Sequence, residues 1–244
     1  MGRGSAHIEV IISFILFMGF LIFGLYFFNP LDTTRVLDST LYYAHDEILK
    51  NFSTTVYTYG MSIRPAEAGD DFIVATLKLD DFGLNVSSFR GVRIEDSAGE
   101  EVSLYYDNRT RTIYFSKGVR DFFRFTFGDL TTHQNRDLLV QGYETLLPER
   151  YVISSTDVRG VYSERAALVL RNRYTANYAP LKEELNLPRR VDFDFVMRVG
   201  DRVIVEATQP IPEQVEIYAK QQRIEIIGNS SGLLEFAELG VRVW

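Results

Sequence analysis

The chain has 244 residues, a formal net charge of -7 and no cysteine. The acidic balance argues against a nucleic-acid partner held on a broad basic face, and the missing thiols exclude disulfides and thiolate metal sites. Hydrophobic residues at 46% and aromatics at 14% supply enough apolar side chain for a packed core, which excludes wholesale disorder.

From Ile8 to Phe28 every residue is apolar, aromatic, Gly or Ser except Glu9. Roughly 20 such residues span the hydrocarbon core of a bilayer, so Ser5 to Phe28 reads as a membrane helix. Arg3 precedes the run, while Asp32, Asp38, Asp46 and Glu47 outnumber Arg35 and Lys50 after it. That asymmetry predicts a cytoplasmic N-terminus and an extracytoplasmic remainder. Asn29-Pro30 then reads as a kink or helix restart. Leu37, Leu41, Ala44, Ile48 and Phe52 recur at three- and four-residue spacing, which predicts an amphipathic helix from about Asp32 to Lys50. Its stripe is expected to pack on the domain that follows, with His45-Asp46-Glu47 on the exposed face.

From Ser53 the period changes to two. Val56 to Tyr59, Phe72 to Leu79, Gly91 to Asp96, Val102 to Tyr106, Thr112 to Phe115 and Phe122 to Phe127 read as strands parted by polar turns. Arg120-Asp121-Phe122-Phe123-Arg124 reads as alternating core and rim. Leu130 to Arg150 reads as a connector with little regular structure. Ser163 to Leu187 reads as helix split at Pro180, and Phe193 to Val199, Asp201 to Ala207, Val215 to Ile227 and Leu233 to Trp244 as four more strands. The expected fold class is α+β: a transmembrane helix continuing into an amphipathic helix, then a β-sandwich-like domain, then a second α+β lobe ending in an antiparallel meander. The corresponding segments are 1–4 (leader), 5–29, 30–52, 53–130 and 131–244.

No motif for nucleophilic, phosphate or dinucleotide chemistry is present, so no enzymatic activity and no cofactor are expected. His7, His45 and His133 are far apart in sequence and do not read as a metal site. Asp70-Asp71 and Asp80-Asp81 read as solvated turn carboxylates without cation-loop spacing. Asn51, Asn85, Asn108 and Asn229 each begin an Asn-x-Ser/Thr sequon, a possible glycosylation site on an exported protein.

The order Arg3-Gly4-Ser5-Ala6-His7-Ile8-Glu9, placed directly before an apolar run with no downstream small-x-small cleavage site, resembles the class III signal sequence of type IV pilins, pseudopilins and especially archaeal pilin-like proteins. The resemblance covers roughly the first 30 residues. It implies processing between Gly4 and Ser5 by a prepilin peptidase on the cytoplasmic side, with the helix retained. Ser5 then becomes the first residue and Glu9 the fifth. The resemblance further implies assembly with other pilin-like subunits on a membrane platform, Glu9 pairing with the α-amine of Ser5 on a neighbour. The expected function is a pilin-like subunit of a surface filament or pseudopilus. The alternative is a single-pass membrane-anchored extracytoplasmic binding protein that does not assemble.

Overall fold

The computed structural model describes residues 3–27, 33–64, 74–83 and 89–244. The expected kink at Asn29-Pro30, the acidic pair Asp70-Asp71 and the sequon at Asn85 lie outside the described residues. Helix α1 spans Arg3–Phe27 and helix α2 spans Thr33–Phe52. Strand β1 (Ser53–Ile63) follows α2 with no residue between them. The long strand β8 (Tyr151–Ser163) pairs antiparallel with β1 along its whole length. These two strands form the spine of the body.

An eight-stranded sheet grows outward from that spine on both sides. On the β1 side lie β6 (Phe122–Gly128) and then β3 (Gly91–Asp96). On the β8 side lie, in order, β11 (Tyr218–Ile227), β12 (Leu234–Val243), β9 (Phe193–Val199) and β10 (Arg202–Ala207). A four-stranded sheet of β4 (Leu104–Asp107), β5 (Thr112–Ser116), β2 (Val74–Lys78) and β7 (Tyr143–Thr145) makes a second layer. Helices α3 (Glu164–Ala176) and α4 (Tyr178–Glu184) complete the α+β body.

Two large cores follow from this arrangement. In the first, Phe123, Phe125 and Phe127 of β6 are fully buried against Ile113 and Phe115 of β5 and Leu77 of β2. The rings meet edge-on, with Phe115 to Phe123 at 5.0 Å and 71°, and such pairs add about 0.5–1.5 kcal/mol beyond burial. The alternate residue Arg124 points outward and pairs with Glu95, as the alternation in the sequence predicts. In the second core, Leu41, Ala44, Ile48 and Phe52 of α2 pack on Phe193, Phe195 and Met197 of β9, Leu239 and Val241 of β12, and Leu170 of α3. Asp192 and Trp244 exchange backbone hydrogen bonds at 2.9 and 3.0 Å, which ties down the C-terminal residue.

Several expectations are corrected here. The α2 stripe packs on β9, β11, β12 and α3, not on the strands that follow it directly in sequence, because those later elements present the apolar residues that complete its core. The stretch from Leu130 to Arg150 is no structureless connector: β7 within it pairs in parallel with β2, and short 3-10 turns cover Arg136–Leu139 and Pro148–Arg150. Both β7 and β8 lie in the 131–244 segment and pair with strands of the 53–130 segment, β2 and β1. The helical break falls at Asn177, with φ -146° and ψ 61°, while Pro180 sits in the first turn of α4, where its missing N–H costs little.

The strand β8 escaped the sequence reading altogether. It meets β11 only at Tyr162 and Ser163, so Ser154 to Gly160 are exposed and carry no hydrophobic alternation. The two lobes are joined near that fork. Leu130, Val56, Val161 and Ile227 form a small third core. Arg93 of β3 donates to the carbonyl of Ser231 and pairs with Glu95 and Glu101.

Candidate functional site

Residues 3–27 form one helix, a run without proline in which leucine, methionine and alanine favour the helical backbone. Side chains are described from residue 10 to residue 24. Among them Val10, Ile11 and Ile12 are 68, 58 and 52% exposed, and Ile15, Leu16 and Phe17 are 62, 69 and 59% exposed. Three consecutive residues cover most of the circumference of a helix at 3.6 residues per turn. The helix is therefore bare on every side, unlike the one-sided stripe of α2. Gly19 and Gly24 add open ground, since a Cβ at either would meet nothing within 4 Å. An apolar patch of this extent exceeds what a soluble surface carries without a partner.

Gly4, Ser5 and Glu9 lie within the helical backbone, but their side chains are outside the described residues, as is that of His7. Among the described residues no helix is long and apolar enough to cross a membrane. The described side chains stop at residue 24, short of the roughly 20 that a span requires, so the spanning reading rests on the sequence from Ile8 to Phe28.

The sequons separate into two kinds. Asn51 is exposed in the last turn of α2, where its Nδ2 donates to the carbonyl of Glu47 at 2.9 Å. Asn108 is exposed in the turn between β4 and β5, and its Oδ1 accepts from the Tyr106 hydroxyl at 3.1 Å. Asn229 is half-buried at the lobe junction. Its Oδ1 accepts from the Thr131 hydroxyl at 3.1 Å, and its backbone N–H donates to Glu164 at 2.7 Å. A glycan on Asn51 or Asn108 would extend into solvent, whereas one on Asn229 would disturb the junction.

Among the described residues no group of three or more His, Cys, Asp or Glu side chains could hold a metal ion. Asp80 is engaged by Arg111 at 2.8 Å. His133 lies half-exposed beside Glu101 at 3.3 Å. His45 is the correction: it is fully buried, its Nδ1 lies 3.5 Å from the Asp46 carboxylate, and among the described residues neither ring nitrogen has a hydrogen-bond partner. The signal was present in the sequence. Residues 41, 44, 45, 48, 49 and 52 follow the i, i+3, i+4, i+7, i+8 pattern of a wide core-facing stripe, and His45 occupies one of those places.

Burial, and then the ammonium of Lys220, hold His45 below the usual imidazole value against the pull of Asp46. Lys220 itself rests over the Tyr42 ring at 4.5 Å, so α2 and β11 meet through this group. The sign of the effect follows. The unfolded chain takes up a proton near pH 6.5 and the folded chain at lower pH, so the contribution is full above that value and falls away below it. Stability is expected to drop between pH 7 and pH 5 with a slope of at most about 1.4 kcal/mol per pH unit. Urea denaturation across this range should show the slope in the native chain and lose it in His45→Phe. The acidic groups whose values are lowered, Asp96 by Arg120, Asp107 by the Arg109 backbone N–H and Glu184 by Arg173, lose their contribution as pH falls through the ordinary carboxylate range and below it, under the window in which His45 acts.

Compared with protein-family models, curated protein sequences and solved structures, the chain has no significant match.

Proposed function

We propose that the chain is a type IV pilin-like subunit. It is held in the membrane by α1, it assembles through helix packing into a surface filament or pseudopilus, and its β-rich body faces the exterior for adhesion or partner contact. The observation that carries this reading is α1 itself. Twelve large apolar side chains between Val10 and Phe23 are exposed. At about 1.5–3 kcal/mol for each such side chain when buried, lipid and neighbouring helices offer a large gain over water. The same helix bears Glu9 five places after Gly4 and follows Arg3, the arrangement through which the sequence resembles a class III signal. A carboxylate within a membrane helix is costly to bury unless it is paired or functional, and a pairing partner is what assembly would supply. The partners are then a prepilin peptidase, further pilin-like subunits, an assembly platform and membrane lipid, without nucleic acid.

The test is the N-terminus of the protein isolated from its native membrane. Intact-mass analysis and N-terminal sequencing are expected to show a chain that has lost Met1 to Gly4 and begins at Ser5. A mature chain that keeps those four residues would remove the main support for the proposal.

A further inference from the structure

Two depressions where β3, β6 and α3 meet share one wall, and that wall is cationic. Arg90 and Arg165 line the larger, of about 450 Å³, together with Phe89, Tyr106, Asn108 and Gln134. The same two arginines line the smaller, of about 210 Å³, beside Asp129 and Arg173. Local structure fixes each of them. Arg90 directly precedes β3, and its backbone N–H donates to the carbonyl of Gly128 at 2.9 Å. Asp129 follows that glycine at the end of β6, and Arg165 lies in the first turn of α3. Ser163 ties the last two together. Its hydroxyl donates to Asp129 Oδ2 at 2.6 Å and accepts from the Ala166 N–H at 3.0 Å.

The donors on this wall are unengaged. Arg90 Nε stands 3.6 Å and Arg165 Nε 4.0 Å from Asp129 Oδ1, too far for a hydrogen bond. That oxygen is enclosed and has no hydrogen-bond partner among the described residues. Among those residues neither guanidinium donates a hydrogen bond. The other polar groups of the larger basin are occupied. Gln134 accepts from the Tyr106 N–H at 2.7 Å, and the Tyr106 hydroxyl donates to Asn108 at 3.1 Å. Nearby acids are engaged elsewhere, Asp107 by the Arg109 N–H and Glu164 by that of Asn229. In the smaller basin Arg173 is held by Glu184. The pair of guanidiniums is what remains for a ligand.

Charge decides the ligand class. The larger basin has two cations and no carboxylate on its lining, and Asp129 behind the wall offsets one of the two. One positive charge is left uncompensated there, on a chain whose net charge is -7. A metal cation is repelled by such a wall. A guanidinium presents a planar fork that matches the oxygens of a carboxylate, sulfate or phosphate. We infer that Arg90 and Arg165 bind an anionic ligand through an oxyanion group placed between them. The rest of the ligand lies in the larger basin. Phe89 is held there by Phe127, ring centroids 5.0 Å apart, and meets the Tyr106 ring at 6.1 Å. These rings give a ring-bearing acid an apolar wall that a free ion cannot use. The inference stands apart from the assembly reading, because the site uses no residue of α1.

The full chain, made without glycosylation because Asn108 lines the basin, would be titrated calorimetrically in a non-ionic detergent. Low ionic strength keeps exposed charges least screened. The probes are inorganic phosphate, sulfate and an oligogalacturonate, with maltotriose as the uncharged control. At least one anion is expected to bind at about 1 mM or tighter. Arg90→Gln and Arg165→Gln should each weaken it at least about tenfold at unchanged Tm, since each removes charge-assisted hydrogen bonds. Arg190→Gln, at an exposed arginine outside both basins, should leave the affinity unchanged. Tighter binding of the oligogalacturonate than of the free ions identifies an acidic sugar as the source of the oxyanion, and equal binding a free ion. No anion bound at about ten times that concentration would overturn the inference. An equal loss in Arg190→Gln would reduce it to general charge attraction, and equal binding of maltotriose would overturn the anionic class.

Discussion

Glu9→Gln is expected to leave membrane insertion and removal of Met1 to Gly4 intact while abolishing incorporation into a filament or membrane assembly. In the proposed bundle the Glu9 carboxylate meets the α-amine of Ser5 on a neighbouring subunit, a pairing implied by the resemblance of the N-terminal sequence. Before cleavage that amine does not exist at Ser5, so processing and assembly are coupled through one charge pair. An amide at residue 9 leaves the incoming amine without its counter-charge in a low dielectric. Removing one partner of a buried pair costs about 3–5 kcal/mol, and at about 1.4 kcal/mol per tenfold the incorporated fraction should fall at least about a hundredfold. Co-fractionation of native and variant chains with sheared filaments or cross-linked membrane assemblies gives the readout. Equal incorporation would refute the pairing and favour a single-pass anchored binding protein that does not assemble.

The second large effect is expected at Phe52→Ala. Phe52 ends α2, is fully buried, and packs its ring on Phe195 with centroids 5.7 Å apart. Truncating a buried phenylalanine costs about 3–5 kcal/mol through lost transfer energy and the cavity left behind. Phe52 is also the last residue before β1 begins, so its ring holds the junction at which the helix hands over to the spine. Urea denaturation should show the full loss, and limited proteolysis should find new cleavage within α2 before the strands β1, β3 and β6 yield. Val169→Ala on α3, at a site 51% exposed, should change stability by no more than about 0.5 kcal/mol. A cost below about 1 kcal/mol at Phe52 would mean that α2 is not seated on the second lobe in solution.

Period and composition alone determined a good deal about this protein. The alternation in Phe122 to Phe127 marked β6 and its buried side, because a strand sends successive side chains to opposite faces whatever its partners. The spacing of Leu41, Ala44, Ile48 and Phe52 marked the buried face of α2 for the same reason at a different period. Gly91 to Asp96 and Phe193 to Val199 were bounded to the residue, since polar or turn-forming residues flank each. The apolar run of α1 and its position after Arg3-Gly4-Ser5 were likewise legible without any tertiary information.

What only the tertiary structure decided was which surface each element meets. A periodic stripe announces that a face is buried but carries no address. The pairing of α2 with β9, β11 and β12, almost the whole chain length away, depends on how β1 and β8 divide the sheet. The strand β8 was invisible because its middle stands in water on both faces, and backbone pairing with β1, not side-chain burial, makes it a strand. His45 was legible as a member of the α2 stripe, yet only the approach of Lys220 on β11 shows what its proton would meet.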